Sequence, residues 1–503
     1  VNDAFRKPDV APKPAALPGG TPAASGVPKL RPLCVDLDGT LVKSDTLIES
    51  ITHLVRKHIY YLFIIPWWIF KGKAYLKAQV AKKASLDVSL LPFNKALLSY
   101  LTDEKRKGRK LYLVTGANEN LATRVSDYLG IFDGVLASDD KVNLVGRKKA
   151  QILVEKFGRK KFAYAGNSED DFHIWRVCSE AVIVNAPGWI EARARQRPDR
   201  IKIYSDHTST LKLLLKAIRI HQCAKNLLLF APIFLANQWM EGWPLAKTFV
   251  AFLIFTMCTS GVYLINDLFD LDADRKHPEN KKRPLAAGDL DLKTGILLAP
   301  MFLFFGLLFA GMLSTQFFSV MLGYILVTTA YTFYLKQYVL ADVIILASLY
   351  AWRTFAGAVA AGISLSPWFL MFAIFFFLNL ALVKRVSELI MMKSSGVPRG
   401  YRRGYLVDDI PLVTTFGLGS GLISILVFCL FASSQEVVPQ YVQPFALWFI
   451  SPFLLYWIGR MWLIAMRGHM TSDPLIFAMR DRASYIVLAA VALLWLIAGG
   501  LLR

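Results

Sequence analysis

Two architectures are predicted along one chain: an N-terminal α/β domain of three layers, then an all-α bundle of nine transmembrane helices. Three observations carry this. Short apolar runs that end in polar turns recur at Leu33, Leu111 and Phe162, as buried strands of a sheet do. Nine long apolar runs fill the chain beyond Ile220. The basic residues concentrate in the first third and in a few loops between those runs.

Composition narrows the class further. The chain has 503 residues, 55% of them hydrophobic, and a mean hydropathy of +0.41, too apolar for an ordinary soluble protein. A net charge of +21 on such a chain fits a membrane protein with a Lys- and Arg-rich cytoplasmic face. No groove-reading or zinc motif supports a nucleic-acid partner. Five scattered cysteines (Cys34, Cys178, Cys223, Cys258, Cys429) form no CxxC and read as reduced core or lipid-facing residues.

Residues 1–29 are rich in Pro, Ala and Gly with no apolar core of a signal peptide, so a disordered lead-in is expected there. Order begins at Leu30. The strand Leu33-Cys34-Val35 opens into Asp36-Leu37-Asp38-Gly39-Thr40-Leu41. Two carboxylates just past a strand end occupy the position where open α/β sheets bind ligands. Leu111 to Gly116 is a second strand ending in the hydroxyl of Thr115, Gly146-Arg147-Lys148-Lys149 a basic turn before a helix, and Phe162 to Asp171 a third strand ending in Asn167, Asp170 and Asp171.

These four motifs, in this order, resemble the haloacid dehalogenase-like phosphatases over about residues 30–195, which implies a Rossmann-like α/β fold. The resemblance implies that Asp36 attacks phosphorus and that Asp38 acts as general acid, then base. Thr115 and Lys149 would hold the phosphoryl oxygens, with Lys148 as the alternative lysine. Mg²⁺ would be held by Asp36, Asp38 and the 167–171 motif. The family usually has Asp where this chain has Asn167, so Asp170 or Asp171 would have to compensate. A domain that only senses phosphorylated metabolites is the alternative.

Between the first two motifs, Tyr60 to Phe70 is apolar and aromatic, followed by Lys71, Lys73, Lys77, Lys82 and Lys83. The run is too short to span a bilayer, and its Trp and Lys favour the headgroup region. A helical cap lying on the membrane surface is therefore expected within a phosphatase domain of residues 30–200; a cap packed on its own core is the alternative. Residues 201–220 are a basic connector, and 221–503 the transmembrane domain.

The nine runs lie near 227–239, 246–268, 291–311, 316–334, 341–361, 367–383, 411–433, 443–465 and 484–502. Loops 269–290, 384–404 and 466–482, with Lys336, hold nearly all the Lys and Arg of this half. Positive-inside then predicts a bacterial inner-membrane protein with the N-terminal domain and these loops in the cytoplasm and the C-terminus outside.

The second run ends in Asn266-Asp267-Leu268-Phe269-Asp270, followed by Asp272, Asp274 and Arg275. Spacings of three and four put Asn266, Asp267, Asp270 and Asp274 on one helix face, with Asp272 pointing away. Acids at the mouth of a membrane helix need a cation, and such a set suits Mg²⁺ with substrate phosphates completing its shell. Cations near the helix mouths are Arg219, Lys225, Arg275, Lys282, Arg283, Lys384 and Arg385; Tyr334, Lys336, Asp342 and Arg353 form a third group. Lys and Arg beside metal-binding acids suit a diphosphate-bearing substrate.

The acid motif in a nine-helix bundle resembles the UbiA-type intramembrane prenyltransferases. Lys225-Asn226, Asp274-Arg275-x-His277-Pro278, Arg283-Pro284, Tyr334-x-Lys336 with Asp342, Lys384-Arg385-x-x-Glu388 and Asp473-Pro474 with Asp481-Arg482 resemble the decaprenyl-phosphate phosphoribosyltransferase branch. The branch that prenylates aromatic acceptors usually carries a second acidic motif, where this chain has Lys336 and Asp342 alone. The resemblance implies transfer of 5-phosphoribose from phosphoribosyl diphosphate to a polyprenyl phosphate. Asp267, Asp270 and Asp274, with Asn266, would hold Mg²⁺; Lys225, Lys336, Arg353 and Arg385 would steer phosphates, and Glu388 would hold a ribose hydroxyl. The fused phosphatase would then remove the 5-phosphate of the product. Movement of a prenyl group from a prenyl diphosphate to an aromatic acceptor is the nearest alternative. A lipid carrier is a more distant one, disfavoured because no internal repeat is seen. The sequence leaves a homo-oligomer open.

Overall fold

The structure, a computed structural model, describes residues 30–138, 144–195, 200–205, 208–236, 238, 241–394, 404–435, 437–470 and 473–500. It divides into two compact units: residues 1–40 with 95–205, and residues 41–94 with 206–503.

The first unit is a six-stranded parallel sheet, β1 (Leu33–Val35), β2 (Leu111–Asn118), β3 (Gly134–Ser138), β4 (Ala163–Gly166), β5 (Glu180–Val184) and β6 (Arg200–Tyr204), in the order β3-β2-β1-β4-β5-β6. Leu33, Cys34 and Val35 are completely buried, as a central strand covered on both faces demands. The order reverses beside β1, and in such sheets ligands bind beyond the carboxyl ends of the strands at that point. Asp36 follows β1 there and Asn167 follows β4.

Helices are numbered along the chain. The insertion between β1 and the rest of the sheet carries α1 (Thr46–Lys57), α2 (Tyr61–Phe70) and α3 (Lys73–Lys83). The sheet unit adds α4 (Lys95–Arg106), α5 (Glu119–Leu129), α6 (Gly146–Phe157), α7 (Phe172–Trp175) and α8 (Gly188–Arg195). Then follow α9 (Thr210–Ala217), α10 (Ala231–Leu235), α11 (Gly242–Phe269), α12 (Leu271–Lys276), α13 (Leu292–Leu313), α14 (Thr315–Phe333), α15 (Ala341–Ala361) and α16 (Pro367–Ser394). The last four are α17 (Ile410–Ala432), α18 (Ile450–Met466), α19 (Pro474–Ala478) and α20 (Arg482–Ala498).

Among the described residues, seven helices are long and apolar enough to cross a membrane: Gly242–Phe269, Leu292–Leu313, Thr315–Phe333, Ala341–Ala361, Pro367–Ser394, Val407–Ala432 and Pro444–Met466. The chain is a multi-pass membrane protein. Of the nine expected runs, the first and last form shorter apolar helices, Gln222–Leu235 and Arg482–Ala498. In the first, a tight 3-10 stretch (Ile220–Phe230) gives way to α10, with Pro232 in its opening turn. Segments of this unit approach closely at glycines. A Cβ on Gly357 would lie 2.0 Å from the Leu229 carbonyl oxygen, and one on Gly417 2.1 Å from the Trp462 ring.

The insertion 41–94, expected as the cap of the phosphatase domain, groups with the membrane spans instead. Ion pairs distant in sequence tie it there: Lys43–Asp289 at 2.8 Å, Lys293–Asp45 at 2.9 Å and Arg56–Asp272 at 2.8 Å. Glu49 takes both terminal nitrogens of Arg275, at 2.6 and 3.0 Å, and both side chains are almost fully buried. Arg56 Nε donates to the carbonyl of Phe269, the last residue of α11, at 2.8 Å.

Candidate active sites

In the sheet unit, the turn after β1 holds Asp36 by its own backbone: Asp36 N–H donates to Ala165 O at 3.0 Å, and Leu37 N–H donates to Asp36 Oδ1 at 2.9 Å. Lys149, from the first turn of α6, donates to the same oxygen at 2.9 Å and to the Tyr164 hydroxyl at 3.0 Å. Lys149 is buried, whereas Lys148 is exposed, so of the two candidate lysines it is Lys149 that meets the carboxylate. Burial pushes the Asp36 carboxyl up to about 7, with Lys149 opposing the rise and Asp171 adding to it. A cation beside Asp36 would favour the ionised form that can attack phosphorus.

Thr115 is fully buried within β2, three residues before its end, its hydroxyl accepting from Ala117 N–H at 3.0 Å. Asp38 is half-buried. Thr40 Oγ1 donates to Asn167 Oδ1 at 3.3 Å. Gly39 has φ +72°, and a Cβ there would lie 2.1 Å from Asn167 Nδ2. Glycine is thus required both by the left-handed backbone and by the close pass of Asn167.

The two acids proposed to compensate for Asn167 part ways. Asp171 is buried; its Oδ2 accepts from Asn167 N–H, Ser168 N–H and Ser168 Oγ, and its Oδ1 from Tyr164. It shapes the loop. Asp170 is exposed and is the one with the carboxylate in reach of solvent.

In the membrane unit, α11 ends at Phe269 and α12 begins at Leu271, with Asp270 at the junction. The helical ladder runs on regardless: Asp270 N–H donates to Asn266 O and Asp274 N–H to Asp270 O, both at 2.8 Å. Asp267 and Asp274 are both buried and share one nitrogen, Arg283 Nη1, at 3.2 and 2.5 Å. Asp267 also takes Arg219, and Asp270 takes Lys336 at 3.4 Å. Burial pushes the Asp274 carboxyl above its usual range while Arg283 pulls the other way. Asp272 turns aside to Arg56, whose hydrogen bond and charge overcome burial and hold it below the usual range.

Among the described residues no three His, Cys, Asp or Glu side chains converge as a ready-made metal cage. Mg²⁺ does not require one, since it takes one or two carboxylates and fills its octahedron with water and substrate phosphate. Asp267 and Asp274, hard oxygen donors already close enough to share one cationic nitrogen, fit that requirement. In the sheet unit Asp36, beside Asn167 on the neighbouring strand end, supplies oxygen donors of the same kind.

The other expected site residues sort into separate groups. Lys225 and Lys384 both reach Asp473 Oδ2, at 3.3 and 3.1 Å; burial would raise that carboxyl, but the two ammoniums draw it down to about 2. Arg353 is buried on α15 and donates to Asn226 Oδ1 at 3.2 Å, Leu349 O at 2.9 Å and the Tyr324 hydroxyl at 2.7 Å. Arg385 pairs with the fully buried Asp342 at 3.1 Å and with Glu388, and Tyr405 donates to Asp342 at 2.6 Å. Arg275 is turned to Glu49, Lys282 to Glu279 at the surface, and Tyr334 is exposed.

Two cavities adjoin these groups. A pocket of about 130 Å³ is lined by Lys225, Asn266, Tyr263, Tyr324, Tyr350 and Arg353. An apolar groove of about 500 Å³ is lined by Leu227, Phe234, Phe376, Trp457 and Leu488, and again by Lys225. Lys225 therefore borders both the small pocket that contains Asn266 and Arg353 and the apolar groove.

Asp473 enters the sequence reading only within the Asp473-Pro474 motif, with no site role; in the structure it caps α19 and joins Lys225 to Lys384. Arg219 was noted only among the cations of the connector. Its backbone is left-handed, φ +54°, and its side chain pairs with Asp267.

The profile of the UbiA prenyltransferase family matches residues 227–480. The chain is 36% identical to uncharacterized protein y4nM of Sinorhizobium fredii over 92% of this chain and 90% of that one. It is 31% identical to nodulation protein NoeC of Azorhizobium caulinodans, over 55% of this chain and 90% of that protein. Decaprenyl-phosphate phosphoribosyltransferase of Mycolicibacterium smegmatis is 32% identical over 55% of this chain and 89% of the enzyme. A profile that takes in half the chain, set on a buried acid motif at the end of a membrane span, places this protein in the UbiA prenyltransferase family.

Proposed function

We propose that the membrane unit transfers 5-phosphoribose from phosphoribosyl diphosphate to a polyprenyl phosphate, and that the sheet unit removes the 5-phosphate from the product. The observation that carries the reading is Lys225, which borders the small pocket that also holds the polar side chains of Arg353 and Asn266, and borders the apolar groove as well. A phosphate carried on a long isoprenoid needs that juxtaposition: a cation at the head and an apolar channel for the tail. The similarity to a decaprenyl-phosphate phosphoribosyltransferase supports the same substrates.

In the transfer, the bond from the anomeric carbon to pyrophosphate breaks, the pyrophosphate leaving with the electron pair. A lipid-phosphate oxygen forms the new bond. Asp267, Asp270 and Asp274, with Asn266, would hold Mg²⁺, which supplies Lewis-acid charge to the leaving group. Arg219 and Arg283 neutralise the acids and are placed to pass to pyrophosphate oxygens. Lys225 and Lys384, balanced by Asp473, hold the lipid phosphate, and Arg353 with its tyrosines binds the sugar phosphate.

In the second reaction Asp36 attacks phosphorus and Asp38 protonates the departing ribose oxygen; Asp38 then deprotonates the water that opens the aspartyl phosphate. Lys149 and Thr115 hold the phosphoryl oxygens, and Asp36, Asp38, Asn167 and Asp170 would hold Mg²⁺. The positive-inside distribution supports a bacterial inner membrane with the basic loops, the acid motif and the sheet unit in the cytoplasm; if the shorter apolar helices Gln222–Leu235 and Arg482–Ala498 also enter the bilayer beside the seven long ones, the C-terminus lies outside.

Prenyl transfer to an aromatic acceptor is the second reading. It would use a further acidic motif near Lys336 and Asp342, yet Asp342 is committed to Arg385 and Tyr405, which favours the phosphoribosyl reading. Purified full-length protein given phosphoribosyl diphosphate, Mg²⁺ and polyprenyl phosphate should form polyprenyl-phosphoryl-ribose and pyrophosphate. Asp36→Asn protein should stop at the phosphorylated glycolipid. Consumption of a prenyl diphosphate with an aromatic acceptor, and none of phosphoribosyl diphosphate, would reject the proposal.

A further inference from the structure

Helix α2 is apolar on every side. Its ten residues, Tyr61-Leu62-Phe63-Ile64-Ile65-Pro66-Trp67-Trp68-Ile69-Phe70, include no charge. One stripe, Tyr61, Ile65 and Trp68, is buried against Leu54 of α1 and Leu76 and Val80 of α3. The other face is bare: Phe63 is 82% exposed, Trp67 62% and Phe70 88%. A helix apolar all round belongs in a core or in lipid, and a contiguous exposed patch of large hydrophobes marks a contact surface.

The surroundings identify the contact. Arg56, in the last turn of α1, holds the carbonyl of Phe269 where membrane span α11 ends, and α2 begins five residues after Arg56. The start of the helix is thus tethered, through Arg56, to the end of α11. Cations flank it and acids do not: no Asp or Glu lies between Glu49 and Asp87, while Lys57, Lys71, Lys82 and Lys83 are exposed. The Lys71 ammonium sits over the rings of Trp67 and Tyr75, at 5.6 and 5.1 Å, an arrangement of aromatic body and cationic tip that suits the headgroup layer.

We propose that α2 lies in the lipid interface of the leaflet at the Phe269 end of α11, with Leu62, Phe63, Trp67 and Phe70 among the acyl chains and the flanking lysines on anionic headgroups. The segment is then held on two sides, by α11 and α12 through α1, and by lipid through α2. This goes beyond the proposed chemistry and does not depend on it.

The test uses the full-length chain in nanodiscs of phosphatidylcholine and phosphatidylglycerol. Nitroxide labels are placed at Phe63→Cys, Phe70→Cys and, as a control on α5, Tyr128→Cys, in a Cys223→Ser/Cys429→Ser background. Labels at 63 and 70 should collide more with oxygen than with a water-soluble nickel chelate, and the label at 128 the reverse. Preference for the nickel chelate at 63 and 70 would overturn the proposal. So would dipolar coupling between labels at 63 in two chains, which would make a second copy the occupant. Omitting phosphatidylglycerol should shift both labels toward water; unchanged depth would overturn the role given to the lysines.

Discussion

Truncating Glu49 should disable the transferase site although Glu49 is more than two hundred residues from it in sequence. Glu49 and Arg275 are both nearly inaccessible and bound through two nitrogens at 2.6 and 3.0 Å. Removing one partner of such a pair strands the other charge, a cost of about 3–5 kcal/mol. Arg275 would keep its bond to Ala286 O at 3.1 Å, and Ser44 would lose the acceptor it holds at 2.6 Å. Arg275 adjoins Asp274, so the strain falls on α12. If half of that cost is expressed in the docking of α12, turnover falls on the order of ten- to a hundred-fold. Glu49→Ala, Arg275→Ala and the double variant, assayed for pyrophosphate release and thermal unfolding, form a double-mutant cycle. The double variant should be less impaired than the sum of the singles by at least about 1 kcal/mol. Additive effects within about 0.5 kcal/mol would refute the coupling. Glu49→Gln, which keeps an acceptor for Ser44 and Arg275, should fall between wild type and Glu49→Ala.

Other perturbations separate the two sites. Lys149→Met should cut phosphatase turnover by about 10²–10³-fold, the value of one preorganised electrostatic contact, and leave pyrophosphate release unchanged. Asn167→Asp should lower the Mg²⁺ concentration that half-saturates the phosphatase, since a carboxylate replaces a neutral ligand; an unchanged value would remove Asn167 from the metal shell. Gly357→Ala should destabilise the bundle by the upper part of about 1–3 kcal/mol, because its Cβ meets the Leu229 carbonyl, and should lower the midpoint of thermal unfolding in detergent. Asp473 is held near 2, below the ordinary value of about 3.9. Its stabilisation is therefore full above about pH 4 and lost as pH falls through 2. The gap in unfolding midpoint between wild type and Asp473→Asn should be constant above about pH 5 and close on acidification.

The elements that local pattern controls were legible before the structure. The β1 strand, the turn at Gly39, the meeting of Asp267 with Asp274 at Arg283 and the aside turn of Asp272 follow from spacing a few residues long, whereas Asp270, placed on the same face by that spacing, pairs with Lys336. Partners chosen across the fold were not. Asp342 and Arg385 each read as a substrate contact, yet they lie on facing helices and bind each other, and a charge at a helix mouth carries no sign of which helix it faces. The insertion 41–94 read as a cap of the sheet because it interrupts that domain in sequence. What places it with the membrane spans is a set of ion pairs more than two hundred residues apart. Hydropathy marked the first and last apolar runs but not the form of their helices: the first opens in a 3-10 stretch before α10, and α20 is 17 residues long.

The central claim is that the acid motif at the end of α11 seats the leaving pyrophosphate. Full-length Asp270→Ala protein, supplied with radiolabelled phosphoribosyl diphosphate, Mg²⁺ and polyprenyl phosphate, should form labelled glycolipid at least about 10²-fold more slowly than wild type while its thermal unfolding is unchanged. Glycolipid formed by Asp270→Ala at the wild-type rate would contradict the account.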